Sequence, residues 1–270
     1  MTVSQKDPGE TTLALVLKRQ DYSENSQIGR LMTRTRGRAS VLAKGIRKPN
    51  PDLLGPLDLA QLGEATIKWR KGDSLNLLTR WRVVTGFPGL RDDLNRFHAA
   101  CHVTEILHEG HRDQDPDTAR FDLAVETLAG LEVSPPTSVA AVTARFDLRW
   151  LGYAGFAPML EGCALCRKKA PEKAAVKISP GRGGVVCSSC LQGSTPGLIP
   201  LASAPRRLLL TARDALIADA VALSVSDSGA LAMRAVLDAC LENVLEKELC
   251  AARFLRPENP LSQKASDELE

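Results

Sequence analysis

Cys163-Ala-Leu-Cys166 and Cys187-Ser-Ser-Cys190 constrain this chain more than any other feature, as two Cys-x-x-Cys pairs flanking residues 167–186. Each pair makes a tight turn with both sulfurs on one side. Two such turns facing each other supply four thiolates at the corners of a tetrahedron, the ligand set Zn²⁺ takes in closed structural sites. Two disulfides, or four unrelated buried thiols, are the competing accounts of the same spacing. The first ten residues, MTVSQKDPGE, are polar and lack the apolar segment of an export signal. The chain is therefore expected to stay in a reducing cytoplasm, where clustered cysteines favour metal over disulfides. A four-thiolate site keeps no open position for water or substrate, so the function has to be sought elsewhere in the chain.

Among 270 residues, 44% are hydrophobic and 25% charged, which is ordinary globular material. No apolar run reaches the roughly 18–20 residues that a membrane helix needs. Cys101, Cys240 and Cys250 stand singly in helix-like segments and read as small core residues. The net charge of +3 conceals an asymmetry. Residues 1–90 hold 15 Lys+Arg against 8 Asp+Glu, a balance of +7, and residues 91–270 hold 20 against 24, a balance of −4.

Residues 11–86 carry a β pattern. Leu13, Leu15 and Leu17 alternate with other residues, as do Val41 and Ala43, then Ala65, Ile67 and Trp69, and a last run passes from Leu75 to Val83. Turn signals separate these runs, among them Gly37, Gly45, Gly63 and Gly72-Asp73. Five or six short strands in this length predict a small closed β-barrel, and an SH3-like barrel fits the pattern as well.

Residues 30–48 hold Arg30, Arg34, Arg36, Arg38, Lys44, Arg47 and Lys48 and not one Asp or Glu. A strand, a turn at Gly37 and a second strand would put Arg34, Arg36 and Arg38 on one side by parity. Seven cations with no internal neutralisation repel each other unless a polyanion or solvent screens them. Phosphate backbone is the polyanion this predicts, with counterion release as the driving force. A solvated hairpin is the plainer account. Trp69 and Trp81 are either barrel core or stacking platforms, and the aromatics are few enough that backbone contact should dominate.

Helices are predicted over residues 92–109, 118–131 and 137–152 before the cysteines, and over 204–223 and 229–255 after them. Residues 167–186 are expected to form a loop or hairpin projecting from the metal, with a second connector over 193–200. All four histidines, His98, His102, His108 and His111, lie on the first helix or just beyond it. His98 and His102 have i, i+4 spacing, but two ligands do not close a zinc site, so they read as ordinary, partly exposed histidines. No phosphate-binding Gly-x-x-x-x-Gly-Lys-Ser/Thr, no His-Glu-x-x-His and no Gly-x-Ser-x-Gly occurs. Gly181-Arg182-Gly183-Gly184 reads as a turn. No catalytic residue is nominated.

The order of these features, together with four stretches of residues, resembles the RecO family of bacterial recombination mediators. Residues 16–26 (VLKRQDYSENS) are similar to that family's first strand and loop, and residues 33–49 (TRTRGRASVLAKGIRKP) to its basic hairpin. Residues 148–158 (LRWLGYAGFAP) with Cys163-Ala-Leu-Cys166 are similar to its helix end and first metal knuckle, and residues 183–190 (GGVVCSSC) to the second. The resemblance implies an α+β protein: an N-terminal OB-fold β-barrel, then a helical domain with an inserted four-cysteine zinc module. It divides the chain into residues 1–86 (OB-fold), 87–162 and 201–256 (helical), 163–200 (zinc module) and 257–270 (disordered tail). Cys163, Cys166, Cys187 and Cys190 would hold one structural Zn²⁺, and Arg30, Arg34, Arg36, Arg38, Lys44, Arg47 and Lys48 would contact DNA. It further implies binding of single- and double-stranded DNA and annealing of complementary strands. With the partner RecR, the family helps load the RecA recombinase onto strands covered by single-stranded-DNA-binding protein, whose acidic C-terminal tail it contacts. The implied setting is cytoplasmic and nucleoid-associated, in DNA repair. The rival of another class is a zinc-ribbon nuclease or other nucleic-acid-modifying enzyme, and a third possibility is a zinc ribbon that reads a promoter.

Overall fold

A computed structural model describes residues 9–70, 75–191 and 197–255. The turn expected at Gly72-Asp73 and the tail expected over 257–270 lie outside the described residues. Two compact units divide the chain. One holds residues up to Pro88 together with Thr104–Val125, and the other holds Gly89–Val103 and the chain from Glu126 onward.

In the first unit, five strands close a barrel: β1 (Glu10–Ser23), β2 (Ser26–Thr33), β3 (Gly37–Ala43), β4 (Leu62–Lys68) and β5 (Asn76–Thr85). The order around the barrel is β1-β2-β3-β5-β4, with β1 also pairing β4 and one parallel contact between β3 and β5. This is the expected OB-like barrel. Its interior takes Ala14, Val16, Leu31, Ala39, Val41, Ala43, Ala65, Ile67, Leu78 and Trp81. The side of β1 that faces the interior therefore carries Ala14 and Val16, not the expected set of Leu13, Leu15 and Leu17. Leu15 and Leu17 are also buried, so β1 is covered on both faces there and alternation alone could not tell inside from outside.

Trp81 is completely buried, which settles it as core. Gly63, expected to mark a turn, instead lies within β4, because a Cβ there would stand 2.6 Å from the Trp81 ring. Small residues on the strands thus make room for one large ring.

Helix α1 (Leu94–Glu109) starts at Asp93, whose carboxylate accepts the Arg96 N–H at 2.9 Å, and α2 (Thr118–Val133) starts at Asp117, which accepts the Arg120 N–H at 2.9 Å. Both helices run across the division between the units. In the second unit α3 (Val139–Tyr153) is buried along most of its length, as a central helix must be. It packs against α4 (Ser203–Asp214), α5 (Ile217–Ala222) and α6 (Asp227–Leu245).

The two long C-terminal helices expected over 204–223 and 229–255 are each broken. Arg145 and Arg149 on α3 donate to the Ala215 carbonyl at 3.0 and 2.9 Å, and Arg149 also donates to the Arg213 carbonyl at 3.1 Å. These guanidinium groups satisfy the end carbonyls of α4 and make the break between α4 and α5 affordable. Helix α6 stops where Glu246 adopts left-handed backbone, φ 53°. Among the described residues no helix is long and apolar enough to cross a membrane.

Between α3 and α4 lies a three-stranded sheet of β6 (Val176–Ser179), β7 (Gly184–Val186) and β8 (Ile199–Leu201), in the order β7-β6-β8. The stretch between the cysteine pairs is thus a hairpin, as expected, but it does not project. Ile178 is completely buried, and the turn after β6 packs on α6. The connector expected over 193–200 ends as β8, with Pro200 at an edge position that needs no ladder N–H.

Candidate functional site

The metal candidate is assembled by the β6–β7 hairpin. Cys163 N–H donates to the Lys168 carbonyl at 2.8 Å and Arg167 N–H to the Cys163 carbonyl at 2.9 Å, closing the first knuckle with Arg167 at φ 63°. Ala164 N–H donates to the Val185 carbonyl at 2.7 Å, which ties that knuckle to the strand leading into Cys187. Gly184 stands at φ 139°, and a Cβ there would lie 2.3 Å from the Met159 carbonyl oxygen, so no side chain fits at this crossing.

The sulfurs of Cys163, Cys166, Cys187 and Cys190 all lie within 4.8 Å of one another, and those of Cys166 and Cys187 are 3.7 Å apart. A tetrahedral Zn²⁺ with bonds of about 2.3 Å needs edges of about 3.8 Å, so the cluster is close to that size. The donor chemistry fits as well. The backbone N–H groups of Cys166 and Cys187 pull the Cys163 thiol down to about 6. Hydrogen bonds with the Cys166 and Cys187 sulfurs push Cys190 up to about 12. Thiols this close cannot all ionise unless a cation sits among them, which suits the group to a divalent ion and to no open chemistry. The four cysteines are brought together as the spacing required. The other three are in no disulfide, and of these expected core residues only Cys240 is buried, Cys101 being part-buried and Cys250 exposed.

The seven basic residues form no single stripe. Arg34 and Arg36 sit in the turn between β2 and β3, where alternation is lost, whereas Arg30 lies on β2 and Arg38 on β3. Arg34 meets Asp122 through two bonds of 2.9 Å. Arg36 lies 2.6 Å from Glu10, with its guanidinium 5.0 Å above the Trp69 ring. Arg38 lies 2.6 Å from Asp113 and also donates to the His108 carbonyl. The backbone joins in, as Gln114 N–H donates to the Arg38 carbonyl at 2.9 Å. At the far end of β3, a seven-residue strand that rises about 20 Å, Arg47 lies 2.5 Å from Asp21.

Neutralisation of Arg34, Arg36, Arg38 and Arg47 therefore comes from carboxylates distant in sequence, where a count over residues 30–48 found none. These pairs are solvent-exposed and therefore weak, so the arginines stay open to exchange with another anion. Arg30, Lys44 and Lys48 have no carboxylate partner among the described residues. Trp69 is partly buried against the barrel core, and Arg36 covers its ring.

One buried polar cluster has no motif in the sequence to announce it. His102, expected to be partly exposed, is completely buried. Its Nε2 lies 2.9 Å from Asp147 Oδ1, Arg234 Nη1 lies 2.7 Å from Asp147 Oδ2, and Arg234 Nε lies 2.6 Å from Asp238 Oδ1. All four side chains are buried, and they join α1, α3 and α6. Burial alone would raise the Asp147 carboxyl, but Arg234 and then His102 overcome it and hold it below the ordinary range. His98 instead stacks on Phe254 at 5.0 Å, so the i, i+4 histidines share no ligand. The only sequence signal for this cluster was charged residues at otherwise apolar helix positions, which cannot name the partners.

Comparison with known proteins covers almost the whole chain. Residues 9–87 match the family model described as recombination protein O N terminal, and residues 91–251 match recombination protein O C terminal. A DNA repair protein RecO of Anaeromyxobacter dehalogenans is 35% identical over 247 residues, spanning 92% of this chain and 96% of that protein. The DNA repair protein RecO of Rhodopirellula baltica is 33% identical over 179 residues, spanning 66% of each chain. That of Moorella thermoacetica is 33% identical over 176 residues, 65% of this chain and 64% of that protein.

Proposed function

The chain belongs to the RecO family, and from that premise we propose that it is a DNA-binding recombination mediator in DNA repair. It binds single- and double-stranded DNA through the barrel and anneals complementary strands. Together with RecR, it helps load recombinase onto strands coated by single-stranded-DNA-binding protein, whose acidic tail it contacts. The work is done in the cytoplasm, at the nucleoid. The names of the matched families and relatives specify repair and recombination, and none specifies a reaction.

The observation that carries this reading is the basic charge of the β2–β3 hairpin. Arg30, Lys44 and Lys48 lack carboxylate partners among the described residues, and the carboxylates that pair with Arg34, Arg36, Arg38 and Arg47 are exposed and exchangeable. Such a surface screens two phosphate backbones at close approach without reading bases, which is what annealing requires. Cys163, Cys166, Cys187 and Cys190 hold one Zn²⁺, whose role is to fix the knuckles against the helical unit.

Binding of a random-sequence oligonucleotide across a salt series tests the interface. Changing Arg30, Lys44 and Lys48 together to Ala should lower the slope of log affinity against log salt by about 2, as expected for three phosphate contacts on a single strand. An unchanged slope would remove these residues from the interface. Cleavage of the oligonucleotide with Mg²⁺ or Mn²⁺ would favour the nuclease reading instead.

A further inference from the structure

The β1–β2 ladder contains a pairing that folding by itself does not reward. Val16 faces Leu31 and Lys18 faces Arg30, so Leu17 is one extra residue on β1, a bulge. With an unbroken register Leu17 would stand opposite Arg30 and Lys18 opposite Gly29. The bulge therefore places two cations directly across the ladder, at a Cβ separation of roughly 5 Å, where like charges are unfavourable. Neither has a carboxylate partner among the described residues, although most other arginines of the barrel have one.

Gly29 and Leu31 line the interior side of β2, so Arg30 stands on the outer face. Ile28 and Leu42 face each other directly next to it, and both are half-buried. Burial holds the His108 imidazole below its ordinary range, Glu109 opposes this, and Arg38, Lys18 and Arg30 push the same way as burial. These cations therefore share one neighbourhood. Arg38 is occupied by Asp113, and Lys18 and Arg30 pair with no carboxylate among the described residues, Glu109 included.

We propose that the Lys18–Arg30 pair is a phosphate-binding site built by the Leu17 bulge, and that it takes a phosphodiester of the nucleic-acid backbone while Ile28 and Leu42 support the adjoining sugar or base. The proposal rests on the reading of the barrel as a DNA-binding surface, and it assigns Lys18, which charge counting over residues 30–48 left out. A lone phosphate group bridges both cations and relieves their repulsion. This explains why a bulge brings them together.

The full chain is assayed as wild type, Lys18→Ala and Lys18→Arg. With a random-sequence single-stranded oligonucleotide, Lys18→Ala should lose about threefold in affinity and about 0.7 in salt slope, while Lys18→Arg keeps both. Without ligand, Lys18→Ala should unfold at a higher denaturant midpoint, because a repulsive pair is gone. Inorganic pyrophosphate at fixed ionic strength should raise the wild-type midpoint and leave that of Lys18→Ala in place. Unchanged oligonucleotide affinity in Lys18→Ala, or loss of affinity together with a lower midpoint, overturns the proposal. If the wild-type chain fails to bind the oligonucleotide, the DNA-binding reading falls. The pyrophosphate arm still judges the site in that event: a shift in wild type alone upholds an anion site, and equal shifts in both proteins dismiss it.

Discussion

Arg34 and Asp122 meet through two parallel 2.9 Å bonds across 88 residues of sequence. Arg38 and Asp113, 75 residues apart, meet through one bond of 2.6 Å, and Arg38 also donates to the His108 carbonyl. Both carboxylates come from the short stretch between α1 and the first turns of α2, and both occupy a guanidinium as a phosphate would. The hairpin tip is thereby ordered before any nucleic acid arrives.

Because these pairs are exposed, removing the carboxylates should release the arginines without unfolding the barrel. The double variant Asp113→Asn, Asp122→Asn is expected to bind single-stranded DNA a few-fold more tightly, because exposed ion pairs are weak and the arginines they release are free to meet phosphate. Fluorescence anisotropy at fixed salt measures this. Weaker binding would mean that the carboxylates serve to aim the arginines.

The buried set of His102, Asp147, Arg234 and Asp238 should behave in the opposite way. Asp147→Ala leaves Arg234 with one partner fewer in a dry site and is expected to cost about 3–5 kcal/mol in urea unfolding. The same variant should change the acid limb of stability. Asp147 is held below the ordinary carboxylate range. Its contribution is therefore complete above that range, near pH 4, and is lost as the pH falls through the depressed value. Wild type should lose stability steeply in that acid window, and Asp147→Ala less so. Equal acid slopes would show that Asp147 is not the titrating group.

How much of this was legible in the chain differs from element to element. The cysteine spacing named all four members of the cluster, since a short turn leaves two sulfurs little freedom. The barrel was legible from its alternations and turn residues. The inward face of β1 was not, because Leu15 and Leu17 are buried outside the barrel interior while small Ala14 lies within it. Gly63 lies within β4 and not in a turn, and a glycine under a tryptophan looks in sequence like a glycine in a turn. Ion pairing of the hairpin was invisible to a local charge count, since Glu10, Asp113 and Asp122 are brought in by the fold. The break between α4 and α5 depends on Arg145 and Arg149, about 65 to 70 residues earlier in the chain.

Metal content separates the roles of the two halves. Purified protein is expected to carry one Zn²⁺ per chain, and Cys163→Ser should lose it together with stability of the helical unit. DNA binding should decline only as that unit unfolds. Gly184→Ala, which drives a Cβ into the Met159 backbone, should likewise weaken zinc retention although no ligand has changed. Chelators should strip the metal faster as the pH is lowered, because protons compete for the thiolates. Full zinc content and intact folding in Cys163→Ser would count against the site.

In the proposed function this barrel brings nucleic-acid strands together by screening phosphate. The rate of annealing of two complementary labelled strands, bare and coated with single-stranded-DNA-binding protein, tests it most directly when followed over a salt series. The protein is expected to accelerate annealing over the spontaneous rate on both substrates, with no dependence on sequence, steep loss as salt rises, and intact strands throughout. Annealing no faster than without the protein, or a rate indifferent to salt, would contradict it.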